Sequence, residues 1–123
     1  GRTQAPSGML RQVLDFPGSY EELSATCMVG YAVARGIRLG WLDLPTFRPM
    51  LDRLWNAAAE HIDEEGGLVD VCTGTGVQPD LRAYLDRPAV SGYDDRGGSL
   101  ALWFATEMVS CILPAARGHM ASG

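Results

Sequence analysis

The stretch Ser19-Tyr20-Glu21-Glu22-Leu23-Ser24-Ala25-Thr26-Cys27-Met28-Val29-Gly30-Tyr31-Ala32-Val33-Ala34-Arg35-Gly36-Ile37-Arg38-Leu39-Gly40 decides the fold. Ser19 followed three residues later by Glu22 has the form of a capping box, in which two side chains satisfy the free amides of a helix start. The sequence predicts a helix from Ser19 to about Leu39, ended by Gly40. Its apolar positions (Leu23, Cys27, Met28, Tyr31, Ala34 and Ile37) cover much of the circumference. Ala25, Gly30, Ala32 and Ala34 leave room for a second helix to come close. A helix apolar nearly all round is one buried between layers.

Outward from this helix, Trp41-Leu42-Asp43-Leu44-Pro45 reads as a tight connector. Asp43 or Thr46 caps a second helix over about residues 46–62, with Pro49 in its first turn, where a missing N–H is tolerated. Phe47, Met50, Leu51, Leu54, Ala58 and Ile62 form one stripe, with Arg53, Asn56 and Glu60 opposite, as in an outer-layer helix. His61 suits the negative end of that helix. Gly66-Gly67 stops it, and Leu68–Cys72 alternates as a short strand would. Residues 73–94 read as loop with one helical turn at Asp80–Leu85. A third long helix runs from about Asp95 to Leu113, where Pro114 ends it. The expected class is all-α with a short β-containing excursion. The first and third helices run in one direction and the second returns. Their starts and the 63–94 segment therefore share one end, where a binding site is expected.

Composition bounds the function. The chain has 123 residues, 46% apolar and 20% charged, with a net charge of −5. That is one domain with a modest core. It lacks the basic footprint of a nucleic-acid binder. Its longest apolar run is too short to span a bilayer. The ten basic residues are all Arg, a pattern that codon usage in a GC-rich genome explains. Cys27 and Cys111 lie in apolar helical runs and read as buried thiols, and Cys72 borders the Gly/Thr loop. An odd cysteine count without CxxC spacing indicates neither a disulfide framework nor a zinc site. No metal and no cofactor is expected. Gly74-Thr75-Gly76 lacks the strand–glycine–helix context of a nucleotide fingerprint. His119 sits in the tail 118–123, which reads as a tag or a disordered tail.

Six motifs occur in order along the chain: Leu10-Arg11-Gln12-Val13-Leu14-Asp15, Ser19–Thr26, Ala34-Arg35-Gly36-Ile37-Arg38-Leu39-Gly40-Trp41-Leu42, His61-Ile62-Asp63-Glu64-Glu65-Gly66, Cys72-Thr73-Gly74-Thr75-Gly76 and Tyr84-Leu85-Asp86-Arg87-Pro88. Together they resemble the C-terminal part of the unsaturated uronyl hydrolases of glycoside hydrolase family 105, with family 88 as a more distant relative. The resemblance implies a toroid of six helical hairpins, of which residues 1–123 are the C-terminal fragment. The first helix is then an inner helix, the second its outer partner and the third the next inner helix. It also implies a bacterial cytoplasmic enzyme acting on oligosaccharides left by pectin or glycosaminoglycan lyases. In that family an Asp protonates C4 of the terminal unsaturated uronyl sugar, water adds at C5, and the hemiketal opens. The Asp belongs to earlier hairpins and no residue here matches it, so the chain alone is expected to be inactive.

What the resemblance leaves to this chain is the wall of the site. Glu22, Leu23, Ser24 and Ala25 occupy the positions of the family's Glu-Thr-Ser-Gly motif, with Leu23 in place of its Thr and Ala25 in place of its Gly, so the polar contact at 23 is lost. Glu22 and Ser24 either bond sugar or order the loop above, and Glu22 alternatively only completes the cap. Thr73 and Thr75 line the mouth. Tyr84 and Tyr93 either stack on a sugar or pack the loop. Arg87 either grips a uronate carboxylate or holds the loop by an ion pair. Asp94-Asp95 is a carboxylate pair or, more simply, a helix cap, and Gly98 leaves backbone N–H groups open to an anion. A different reading is a non-catalytic helical carbohydrate-binding or protein-interaction module. The fragment reading implies exposed apolar helix faces and self-association, whereas a compact monomer would favour the module.

Overall fold

A computed structural model describes residues 2–74 and 76–120, with side chains through Cys111. Thr75 therefore lies outside the described residues, as does the end of the tail. The order is β1 (Leu10–Arg11), β2 (Glu21–Glu22), α1 (Leu23–Arg38), α2 (Leu44–Glu60), β3 (Leu68–Cys72), α3 (Leu81–Leu85), β4 (Ala89–Gly92) and α4 (Asp95–Met120). The protein is mostly helical with two small antiparallel sheets, β1–β2 and β3–β4.

Helix α1 starts later than the capping box suggests. Residues 21–22 are extended and pair with β1, Leu10 opposite Glu22 and Arg11 opposite Glu21. The Ser19 hydroxyl turns back to accept from the Val13 amide at 2.9 Å, so Glu22 itself is the cap. Asp43 caps α2, accepting from the Thr46 amide at 2.9 Å, and the helix begins two residues before the predicted start. Pro45 thus takes the first turn, and Pro49 lies inside the helix rather than in that turn. The strand at Leu68–Cys72 and the turn capped by Asp80 match the sequence reading. Strand β4, by contrast, lies in what reads as loop. Pro114 does not end α4, which continues to Met120. A proline removes one i→i−4 bond, and the good helix formers Ala115-Ala116-Arg117 follow it.

The core lies where α1, α2 and α4 meet, around Leu23, Cys27, Leu51, Leu54, Phe104 and Met108. Trp55 of α2 meets Phe104 edge to face, with ring centroids 5.2 Å apart. The small residue that lets α1 and α4 close together is Gly30: a Cβ there would collide with the Phe104 ring. Further along, Tyr31 meets Trp103 at 5.6 Å, and Arg35 and Arg38 meet Glu107 at 3.0 and 2.8 Å. Contacts advance together along both helices, so α1 and α4 are parallel. Helix α1 is not covered all round: Met28 is 49% exposed, and Leu102, Trp103 and Val109 of α4 are also exposed. Among the described residues no helix is long and apolar enough to cross a membrane.

The start of α1 and the start of α4 both border β3. The Cys72 amide donates to Glu22 at 2.9 Å. A Cβ on Gly97 would press on Leu68 and Val71, so this turn of α4 rests directly on the strand. The shared end anticipated from topology is thus built around one strand.

Replacing Gly30 with Ala should destabilise the fold by about 1–3 kcal/mol through overpacking against Phe104; chemical denaturation measures it. A second expectation concerns acid. The Glu107 carboxyl is held below its ordinary pKa, first by the hydrogen bond from Arg38, against the opposing effect of burial, and further by Arg38 and Arg35 charge. Its stabilising contribution is complete above the unfolded glutamate value of about 4.3. It is lost as pH falls through the lower folded value. Glu107→Gln should cost about 1–3 kcal/mol at neutral pH. It should also flatten the fall of melting temperature below about pH 4.

Candidate functional site

The Glu22 carboxylate organises the site. It is buried, and four donors reach it. Oε1 accepts from the Ser24 amide at 2.9 Å, the Ser24 hydroxyl at 2.7 Å and the Cys72 amide at 2.9 Å. Oε2 accepts from the Ala25 amide at 2.6 Å. One side chain therefore satisfies the first free amides of α1 and ties them to the end of β3. Thr26 supports it from below: its hydroxyl donates to the Glu22 carbonyl at 2.7 Å and accepts from the Leu10 amide at 3.0 Å. Behind the strand, Tyr20 faces the Cys72 thiol. Burial first, then Cys72, Glu22 and Asp70, push its phenol well above the ordinary value. Cys27 is likewise pushed up to about 12, by burial and then by Glu22, which makes it an unreactive core thiol. Cys111 is half-buried rather than buried.

Above Glu22 lies a depression of about 310 Å³ lined by Gln12, Glu22, Ser24, Ala25, Cys72 and Tyr84. Gln12 sits just past β1 and donates through Nε2 to the Tyr84 carbonyl at 3.0 Å, bringing α3 over the start of α1. The Tyr84 hydroxyl accepts from the Gln78 amide at 3.0 Å, which fixes the loop before α3. Gln12 is a residue the sequence reading missed. Its one signal was its place in the first of the six motifs.

The remaining anticipated residues lie elsewhere. Thr73 and Arg87 belong to the loop between β3 and β4. Arg87 donates through Nη2 to the Gly74 carbonyl at 2.6 Å and stands 3.4 Å from the Thr73 hydroxyl. Arg96 of α4 donates to the Thr73 carbonyl at 2.6 Å, a brace the sequence did not suggest. The same Arg96 pairs with Asp94 at 2.8 Å. Asp94 accepts from the Gly97 amide at 3.0 Å, so it caps α4 and does not form a carboxylate pair with Asp95. Its carboxyl is lowered to about 2 by the Arg96 hydrogen bond and then by the Gly97 amide.

Tyr93 and Gly98 border a separate depression of about 300 Å³ with Gly66, Leu68, Asp94 and Ser99. Tyr93 is 84% exposed, its hydroxyl 3.4 Å from the Glu65 carbonyl. The two depressions sit at opposite ends of β3, roughly 13 Å apart at strand rise. The structure therefore brings Glu22, Ser24 and Tyr84 together and leaves Tyr93 and Gly98 outside that group. The reason is the length of β3, which separates the two helix starts along the shared end. Among the described residues no group of three His, Cys, Asp or Glu side chains is placed to hold a metal ion.

Removing the carboxylate should separate local from global effects. Glu22→Ala is expected to cost about 1–3 kcal/mol, as a lost cap with buried donors left unmet. Amide hydrogen exchange at Cys72 should accelerate, while Met108 in the α1–α4 contact keeps its protection.

Comparison with known proteins agrees with this architecture. Residues 1–112 match the family model described as Glycosyl Hydrolase Family 88. No curated protein matches the chain. A solved structure titled a possible member of the GH105 family from Salmonella enterica serovar Paratyphi A is 29% identical. Its TM-score is 0.81, over 88% of this chain and 28% of that one. A possible GH105 member from Klebsiella pneumoniae is 27% identical, with a TM-score of 0.80 over the same shares, 88% and 28%. A family 88 glycosyl hydrolase from Bacteroides vulgatus, at 22% identity and a TM-score of 0.65, covers 88% of this chain and 31% of its own, and supports the fold alone. The chain thus spans under a third of the length of these solved structures. With a family model matched along nearly its whole length, the chain belongs to glycosyl hydrolase family 88 and is closely related in fold to family 105 proteins.

Proposed function

We propose that this chain is the C-terminal part of a helical-toroid glycosidase that removes the terminal unsaturated uronic acid from oligosaccharides by hydrating the C4–C5 double bond. In this reading α1 and α4 are neighbouring inner helices and α2 is the outer helix that joins them. The Glu22-centred depression is a portion of the sugar-binding wall. The observation that carries the proposal is the convergence of Gln12, Ser24 and Tyr84 over a fully bonded buried carboxylate at the start of α1. Sugar sites pair such fixed polar groups with an aromatic side chain. Two further facts support it. The solved relatives continue well beyond the matched segment. The apolar side chains Leu102, Trp103 and Val109 stand exposed on α4, as they would where more of the toroid packs.

The chemistry divides accordingly. The Asp that protonates C4 comes from outside this chain. The residues here orient the substrate and exclude water from one side. Glu22 does so indirectly, because its two carboxylate oxygens are engaged by the Ser24, Ala25 and Cys72 donors. Ser24 keeps hydroxyl lone pairs for a ligand. Substrate-binding roles for Thr73 and Arg87 belong to the loop, and those for Tyr93 and Gly98 belong to the far end of β3.

The ultraviolet absorbance of an unsaturated disaccharide follows the reaction directly, since hydration removes the conjugated double bond. The isolated chain should leave the absorbance unchanged, and the longer protein containing it should abolish it. Glu22→Ala in that longer protein should lower kcat/KM by about tenfold or more, because a 1 Å misplacement of positioning groups costs up to about 100-fold. An absorbance unchanged by the longer protein would overturn the reading, and would favour a non-catalytic helical module.

A further inference from the structure

Residues 76–87, which carry α3, are joined to the rest of the molecule differently from every other element. None of them is buried, and none belongs to the core or packs directly against it. Val77 and Leu81 face solvent. A segment without buried apolar contacts opens at low cost. Internally, however, the segment is well tied. Asp80 caps α3, accepting from the Ala83 amide at 2.8 Å. The Tyr84 hydroxyl accepts from the Gln78 amide at 3.0 Å, and Arg82 pairs with Asp86 at 2.9 Å. At the neck, Arg87 Nη2 donates to the Gly74 carbonyl at 2.6 Å, which closes the ends into a compact Ω-like loop. Below the neck, Arg96 of α4 holds the Thr73 carbonyl at 2.6 Å. The backbone leaves this fixed stem at Gly74, whose φ of 88° lies in the left-handed region that glycine enters freely.

Among the described residues, one hydrogen bond ties the loop to the body beyond its own stem: Gln12 Nε2 donates to the Tyr84 carbonyl at 3.0 Å. Gln12 is itself fixed beside the β1–β2 pair, its backbone amide donating to the Tyr20 carbonyl at 2.9 Å. Closure carries a cost at this contact. Gln12 Oε1 is buried with no hydrogen-bond partner among the described residues, and so is Arg87 Nε at the neck. A buried, unmet polar atom penalises the closed form, and water satisfies it once the cover lifts. Cohesion within the loop, a single bond to the body and a penalty specific to closure together describe a two-state element with a small gap. Its motion has a local consequence, because Tyr84 is one wall of the depression beside Glu22.

We propose that residues 76–87 are a strap that opens and closes as one body over the start of α1, with Gln12 as its latch, and so gates the depression beside Glu22. The gate rests on contacts within this chain and is independent of the hydrolase reading, which the ultraviolet assay tests separately.

Nuclear magnetic relaxation dispersion on the 123-residue chain reads the motion directly. Backbone amides from Val77 to Arg87 should exchange in the microsecond-to-millisecond range of loop and lid motions, with one shared rate and one shared open population. The Ser24 and Ala25 amides beneath should report the same rate, and Phe104 in the core should report none. Gln12→Met keeps the side-chain length and removes the latch donor. It should raise the open population by about threefold to tenfold, the worth of one hydrogen bond, with an unchanged circular dichroism spectrum. Should that variant fail to fold, the wild-type chain decides alone, through the presence or absence of the shared rate. Rates that scatter from residue to residue overturn the proposal, since they describe fraying and not a gate. Absence of exchange in the strap overturns it as well, as does a folded Gln12→Met variant with the wild-type open population.

Discussion

A single buried carboxylate joins the two halves of this chain. Glu22 stands where an extended strand turns into a helix, and its two oxygens serve both sides of that junction. A glutamine would present only one acceptor oxygen and would point an NH₂ group at a backbone amide. An aspartate is one methylene shorter and would lose reach. The buried position strengthens each bond by lowering the local dielectric, and makes a partly satisfied version costly. Because the Cys72 amide is one of the donors, the start of α1 and the end of β3 are held in fixed relation. The β1–β2 pairing then sets Gln12 over the same spot. The candidate site is a consequence of how this carboxylate is satisfied.

The second constraint is the parallel packing of α1 and α4. Parallel helices need a long return path, and here α2 and the β3–β4 segment supply it. The return places both helix starts at one end, beside the segment that connects them. Gly30 fixes the distance between the helices by admitting the Phe104 ring, and Trp55 closes the other side of that ring. Toward the far end Glu107 takes two guanidinium groups, from Arg35 and Arg38. Such a carboxylate would be unfavourable inside the helix contact without them. Packing at the middle and charge at the end thus specify the same register.

Much of this was legible in the sequence because the deciding signals are local. Asp43 and Asp80 announce their helices within three residues, Gly40 marks the stop of α1, and Leu68–Cys72 carries its own alternation, whereas α2 ends at Glu60, before Gly66-Gly67. What escaped was decided by distant partners. Ser19 and Glu22 are both competent caps, and only the pairing of residues 21–22 with 10–11 shows which one is used. Strand β4 is four residues of ordinary composition, made a strand by β3 across from it. Its register shifts near Asp70, whose φ of 61° departs from strand geometry. The candidate site divides the same way. Glu22, Ser24 and Tyr84 were legible from motif and topology, whereas Gln12 carried no chemical pattern. The separation of Tyr93 and Gly98 from the others required the length of β3 in space.

The arginines give the charge logic its final form. The chain has arginine and no lysine, and the structure uses the difference. Arg38 reaches Glu107 through two nitrogens at once, Nε at 2.8 Å and Nη2 at 3.0 Å, a fork that a lysine cannot form. Arg96 bridges Asp94 and the Thr73 carbonyl, and Arg87 braces Gly74. The guanidinium groups of Arg87, in the β3–β4 loop, and of Arg96, on α4, therefore both brace that loop. A ligand carboxylate that recruited either one would have to break a charged hydrogen bond to a backbone carbonyl, a loss of about 1.5–3 kcal/mol.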